Sequence, residues 1–229
     1  TQSISGLGFE PDFVWIKDRS RAERHMLANT VTGPGFVNTS YDGRTLETRY
    51  DVIKQSADGG FDIGGAGPAN FDGDDFVGWC WKAGGEPVTN DDGTITTTLS
   101  ANPEAGFSIM KYAGAVSSGT VGHGLNQAPE IIFTKGLTTS YNWNVSTVYK
   151  PNGYLELNTQ SVFNSNSDRY VTPGTSTNSL TTYVQFNQST EDHIAYCFHS
   201  VPGFSQIGLY TGNGNSNGTY VPLGFKPAW

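Results

Sequence analysis

Two cysteines in a chain of 229 residues are too few for a disulfide framework, and neither has the close partners that a structural zinc site needs. Cys80 lies in "FVGWCWK" and Cys197 in "IAYCFHS", apolar surroundings in which a thiol packs as a small hydrophobe. No bond between them is expected. Charge is scarce too: Asp, Glu, Lys and Arg make up 15% of the residues, with a net charge of −8. Without clustered Lys or Arg to neutralise phosphates, neither nucleic acid nor an anionic membrane surface is expected as a partner. No segment approaches the ~20 apolar residues of a membrane helix, so membrane insertion is not expected, and "TQSISGLGFE" has no charged-then-apolar signal layout. A helical period over three turns is missing as well. "RAERHMLANTV" (Arg21 to Val31) comes nearest, yet its later counterpart "YNWNVSTV" (Tyr141 to Val148) is rich in β-formers.

What the chain does have is glycine, proline and aromatic bulk: 29 Gly, 11 Pro and 13% Phe, Trp and Tyr. That balance favours short strands joined by tight turns, and hence an all-β sandwich or barrel. The strands recur. Cys80 and Cys197 are 117 residues apart; "GFEPDFVWIK" (Gly8 to Lys17) returns as "LNQAPEIIFTK" (Leu125 to Lys135), with Pro11 and Pro129 118 apart. "GFSIMKYAG" (Gly106 to Gly114) returns as "GFSQIGLYTG" (Gly203 to Gly212), and "LGFKPAW" begins a third copy of the proline strand. These last two offsets are 97 and 98, shorter because the first cysteine strand is followed by an inserted stretch that the second lacks; offsets of this size identify tandem modules.

The expected organisation is a first β-sandwich module over 1–85 that lacks its first strand, and an inserted linker or hairpin over 86–105. A second sandwich follows over 106–202, and 203–229 begins a third module or supplies closing strands. By this order the chain is expected to be a segment of a longer array. Within each cysteine strand, alternation puts Val77, Trp79 and Trp81 on one face and Gly78 and Cys80 on the other, matched by Ile194, Tyr196 and Phe198 against Ala195 and Cys197. Two apolar faces imply a strand covered on both sides.

Motifs that carry chemistry are few. "GLGFEP" and "GHGLNQ" mimic half a dinucleotide fingerprint, but each precedes a proline and a strand, so both read as turns. His25, His123, His193 and His199 are scattered. A glycan-cleaving pair of carboxylates would have to come from Glu47, Asp51, Asp58, Asp62, Glu156 and Asp168, which no spacing marks as a unit. "DGDD" (Asp72 to Asp75) looks like a fragment of a calcium loop but reads as a turn. No cofactor, metal or catalytic residue is therefore expected.

Together the segments "GLGFEPDFVWIKDRS", "FVGWCWKAGG", "ANPEAGFSIMKYAG", "VGHGLNQAPEIIFTKG", "IAYCFHSVPGFSQIGLYTGNG" and "LGFKPAW" resemble a module repeated in large structural proteins of tailed bacteriophages, notably those of marine bacteria and cyanobacteria. That module is similar to concanavalin-A-like lectin sandwiches. The resemblance implies tandem jelly-roll modules in a non-enzymatic tail-fibre-type protein of the virion surface. It further implies partners that are other virion subunits or copies of itself, in a homo-oligomer such as a trimer, and a host surface glycan. The alternative in another class is a glycan-degrading tailspike-type enzyme; a cellular carbohydrate-binding adhesin is a third reading, close to the first in chemistry.

Recognition is expected where the two modules differ, in Tyr154 to Gly174 and the neighbouring "GLTTSYNWN", because loops vary while strands hold them in place. Tyr141, Arg169 and Tyr170 are the leading contacts: an exposed ring suits a sugar face, and a guanidinium offers paired donors to acidic glycans. Trp143, aligned with Met26, is expected in the core. The same loop could instead join subunits of a fibre.

Overall fold

The computed structural model describes residues 2–33, 37–38, 53–56, 59–65, 67–115, 118–166, 169–180, 187 and 191–227. The first repeat contributes β1 (Gln2–Ile4), β2 (Phe13–Asp18), β3 (Met26–Asn29), β4 (Val37–Asn38), β5 (Ile53–Ser56), β6 (Gly60–Ile63) and β7 (Phe76–Trp81). From the second come β8 (Val88–Asn90), β9 (Thr97–Asn102), β10 (Phe107–Ala113), β11 (Gly119–Gly122), β12 (Ile131–Gly136), β13 (Asn144–Thr147), β14 (Leu155–Glu156), β15 (Thr177–Leu180) and β16 (Asp192–Phe198). The protein is all-β, built of antiparallel sheets packed as in a β-sandwich. The segment with the strongest helical pattern is a strand, β3, whose four residues are all buried; side-chain burial overrides local propensity here.

The repeat seen in the sequence is a repeat of register. Phe13 faces Trp81 and Val14 faces Cys80 between β2 and β7; Ile131 faces Phe198 and Ile132 faces Cys197 between β12 and β16. Beyond the proline strand, Met26 faces Ile16 and Asn144 faces Thr134. This register aligns Trp143 with His25 rather than with Met26, and Trp143 is nonetheless buried.

Four sheets stack in layers. β1, β6 and β5 form the first, and β4, β3, β2 and β7 the second. The third runs β14, β13, β12, β16, β10, β9, β8, and β11 with β15 make the fourth. Between the first two layers lie Val14, Ile16, Met26, Phe61 and Ile63, with Phe76 and Cys80 against them. Between the second and third lie Phe13, Leu27, Phe107, Ile109, Trp143, Ile194 and Tyr196, joined by Trp15, Trp81 and Phe198. Between the last two lie Met110, Tyr112, Val121, Ile132, Ala195 and Cys197. Each fully buried large side chain contributes about 1.5–3 kcal/mol of hydrophobic stabilisation, so the three interiors together offset the ordering of many glycine-rich turns.

The alternation on the cysteine strands is explained by this stack. The small face of β7 lets the first layer approach closely, with Phe61 lying 3.6 Å from where a Cβ on Gly78 would stand. The large face fills the interior between the repeats: Phe13 sits 4.4 Å from Tyr196 and 5.0 Å from Trp81, centroid to centroid. Cys80 and Cys197 are both free thiols. Residues 86–105 hold the β8–β9 hairpin, which extends the third layer on β10. Among the described residues after Ser205 there is no strand.

Candidate functional site

Conserved position between the repeats assigns most of the distinctive polar groups to structure. The acid after each proline accepts backbone N–H groups just past the cysteine strand: Asp12 Oδ2 takes Ala83 N–H at 2.7 Å and Gly85 N–H at 3.3 Å, and Glu130 Oε2 takes Ser200 N–H. Glu130 also accepts the Tyr149 hydroxyl at 2.5 Å. Burial raises the Glu130 carboxyl, but the donors from Ser200 and Tyr149 outweigh it and hold the group below the usual range. The same bond to Glu130, aided by burial, pushes the Tyr149 phenol up to about 12. The recurring Pro-Asp and Pro-Glu pairs were the sequence signal for this role, which strand patterning alone does not show.

The lysines that end the proline strands follow suit. Lys17 Nζ donates to the carbonyl of Asp18 at 2.5 Å and Lys135 Nζ to that of Thr139 at 3.1 Å. Burial lowers Lys135 to about 8, partly offset by the Glu191 carboxylate. In the "DGDD" turn, Asp74 pairs with Arg21 at 2.6 Å and Asp75 N–H donates to Ser20 Oγ at 2.9 Å, which fastens the turn to the end of β2. Gly6, Gly8 and Gly124 have φ of +85°, +74° and +68°, so the half-fingerprints are turns.

The histidines lie in four different settings. His25 Nδ1 accepts Trp15 Nε1–H at 2.7 Å. His123 Nδ1 accepts Leu125 N–H at 3.1 Å, leaving its Nε2 to donate to Gly174 O at 2.9 Å. His193 stacks on Tyr112 at 5.2 Å, and His199 Nδ1 bonds Ser200 O at 3.0 Å. Among the described residues no group of His, Cys, Asp or Glu could hold a metal ion. Of the six carboxylates considered, Glu47, Asp51, Asp58 and Asp168 lie outside the described residues. Asp62 accepts Ser3 Oγ–H at 2.7 Å on β6, and Glu156 accepts Thr159 Oγ1–H at 3.0 Å on β14, two layers apart.

The segment that differs between repeats leaves β13 at the Tyr149 turn and returns to the third layer at Tyr170. Arg169 is half-buried. Its Nη1–H donates to Tyr154 Oη at 3.2 Å, its guanidinium carbon lies 5.6 Å from that ring's centre, and its carbonyl accepts Asn144 Nδ2–H at 2.7 Å. Tyr154 Oη also accepts Asn164 Nδ2–H at 3.1 Å. Nearby, the Lys150 ammonium lies 4.3 Å from the Phe163 ring centre. Val162 is exposed, as are Ser161 and Asn164 to Asn166. The result is a ledge carrying two cations, each held against an aromatic ring, among amides and hydroxyls.

The three expected contacts separate. Tyr170 is only 5% exposed and donates its hydroxyl to Thr147 O at 3.3 Å; it is a core side chain, because Asn144 and Ser146 draw the returning backbone inward through Arg169 O and Val171 N–H. The expectation of a surface ring at 170 is therefore corrected. Arg169 stays on the ledge. Tyr141 is half-buried three residues before β13. The partner that orients Arg169, Tyr154, was missed as such because no spacing rule links residues 15 apart across a loop.

Among known families, the chain matches over residues 1–229 the model described as a domain of unknown function, DUF7483, and it belongs to that family. No curated protein and no solved structure matches it.

Proposed function

We propose that this member of the DUF7483 family is a non-enzymatic structural protein of a virion surface, of the tail-fibre type, whose sandwich modules are concanavalin-A-like jelly rolls. Its role is to hold a recognition ledge for a host surface glycan away from the particle, in an assembly with other virion subunits or copies of itself. The observation that carries this reading is the division of labour between the repeats. Side chains that recur fill the interiors or bind backbone in the turns, while the stretch that differs displays Arg169 and Lys150 against Tyr154 and Phe163. A guanidinium already oriented by a phenol loses little freedom on meeting a carboxylate, and several copies on one particle multiply a weak contact. The virion setting itself rests on the resemblance of the six sequence motifs.

Binding of the chain to an array of bacterial surface polysaccharides, neutral and acidic, tests the reading. Acidic glycans should be retained, and Arg169→Ala and Lys150→Ala should each weaken retention several-fold with an unchanged circular dichroism spectrum. Equal retention by the variants removes the ledge. Release of reducing ends from any retained polysaccharide would turn the assignment to a glycan-degrading enzyme.

A further inference from the structure

The two cysteine strands differ in what lies beside them. β16 has β12 on one side and β10 on the other. Its counterpart β7 has β2 on one side, and among the described residues no strand on the other. Arg19 N–H bonds Asp75 O, so alternation along the pair turns the backbone groups of Phe76, Gly78 and Cys80 away from β2. These residues correspond to His193, Ala195 and Cys197, which pair with Tyr112, Met110 and Ser108 of β10. Gly78 is exposed.

A second copy of the β10 sequence lies in the same chain without a sheet. "GFSQIGLYTG" repeats "GFSIMKYAG" with one residue added before the tyrosine. Phe204, Leu209 and Tyr210 are 66%, 62% and 72% exposed. Gly106 has φ +66°, and a Cβ there would stand 2.5 Å from His199 O, so only glycine admits the neighbouring chain. Gly203 has the same left-handed backbone, φ +79°, with nothing within 4 Å of its Cβ position. The segment thus carries the side chains of a docked strand with no strand beside it among the described residues; at its start Ser205 exchanges N–H and C=O bonds with Val201 in a tight turn, and docking replaces these two bonds by those to the edge.

We propose that Phe204–Gly212 of a second copy of this chain adds to the outer edge of β7, filling the place that β10 fills beside β16. Strand addition of this kind gains main-chain hydrogen bonds along the edge and specificity from alternate side chains. The register of β10 sets the partners. Phe107 faces Phe198 and Ser108 faces Cys197, so Phe204 meets Trp81 and Ser205 meets Cys80. Tyr112 stacks on His193, so Tyr210 lies on Phe76, with the added residue taken up as a bulge. Each copy offers one edge and one strand, a head-to-tail contact that propagates into rings or chains. This inference stands on the edge and the segment alone, whatever particle or cell the protein belongs to.

Light scattering and thiol cross-linking of the chain test it together. Wild type should show a mass that rises with concentration from one copy to several. Removal of residues 204–229 should abolish the rise, as should Gly78→Pro, which removes an N–H directed away from β2 and sets its Cβ at van der Waals distance, 3.6 Å, from Phe61. Ser205→Cys, oxidised at concentrations where wild type self-associates, should form disulfide-linked dimers through Cys80. A wild-type mass of one copy at every concentration overturns the proposal. So does a Ser205→Cys product that loses its thiols yet runs as a monomer, because the segment then docks on its own chain. Association that persists in both the truncated chain and Gly78→Pro overturns it as well.

Discussion

Trp81 and Phe198 hold the same place in the two repeats and meet edge to face, ring centroids 6.2 Å apart and planes at 69°. Like residues touch because the second and third layers face each other through the same side of the cysteine strand. Phe107 packs against both, 6.3 Å from Trp81 and 4.7 Å from Phe198. A contact between two like faces is closed, so the aromatic bulk joins the two repeats to each other.

Truncating that contact should be costly and non-additive. Trp81→Ala and Phe198→Ala should each lower the unfolding free energy by about 3 kcal/mol. The double variant should fall short of the sum by about 1 kcal/mol, since the two rings share one contact. Urea denaturation of the four proteins measures the coupling, and full additivity would show that the rings act separately.

Asp12 should matter through its oxygens. Asp12→Ala leaves the Ala83 and Gly85 N–H groups without their acceptor and should cost about 3 kcal/mol. Asp12→Asn keeps one carbonyl oxygen and should cost about 1 kcal/mol. A shift in the urea midpoint that is the same for both variants would point to the negative charge instead, which pairs with Lys82 at 3.7 Å.

Stability should rise with pH just above neutrality. Lys135 is lowered by burial to about 8 from 10.5, so between these values the unfolded chain binds the extra proton and each step up in pH favours the folded state. The gain should show between pH 7.5 and 9. Above that, the gain is opposed: burial raises Cys80 from 9.0 to about 11, so its contribution is lost as pH climbs past 9 while that of Lys135 still grows. In Lys135→Met the denaturation midpoint should stay flat from pH 7.5 to 9; a rise equal to that of wild type would assign the effect to another group.

Both thiols of the wild-type chain should react slowly with a freely diffusing reagent while it is folded, unlike a thiol held directly beside Cys80 by a docked strand. Burial pushes Cys80 up to about 11 and Cys197 up to about 12, leaving little thiolate at pH 8. A chromogenic disulfide reagent should therefore react quickly only after unfolding and then titrate 2 thiols. Rapid labelling of either cysteine in buffer would show an open path to its strand.

Tyr170 and Tyr154 should part company under the same substitution. Tyr170→Phe loses one long hydroxyl bond to Thr147 O and should cost at most about 1 kcal/mol with glycan retention unchanged. Tyr154→Phe removes the acceptor of Arg169 and Asn164, so retention of acidic glycans should fall while the fold persists. Loss of retention in Tyr170→Phe alone would restore the tyrosine to the ledge.

The strands were legible in the sequence because their information is local. Period-two alternation in "FVGWCWK" and "IAYCFHS" states which residues share a face, and the offsets of 117 and 118 residues reproduce the pairing of β2 with β7 and of β12 with β16. Alternation says that a face is apolar; it does not say what covers it. Only the tertiary structure decided that the large faces of the two repeats cover each other and that the 86–105 hairpin extends the third layer. It also drew Tyr170 into the core while Arg169 stayed half-buried against Tyr154. Those outcomes depend on side chains far apart in the chain meeting across layers: Asn29 Nδ2–H donates to Tyr196 Oη at 3.0 Å across 167 residues, a contact that no repeat, propensity or spacing along the chain encodes.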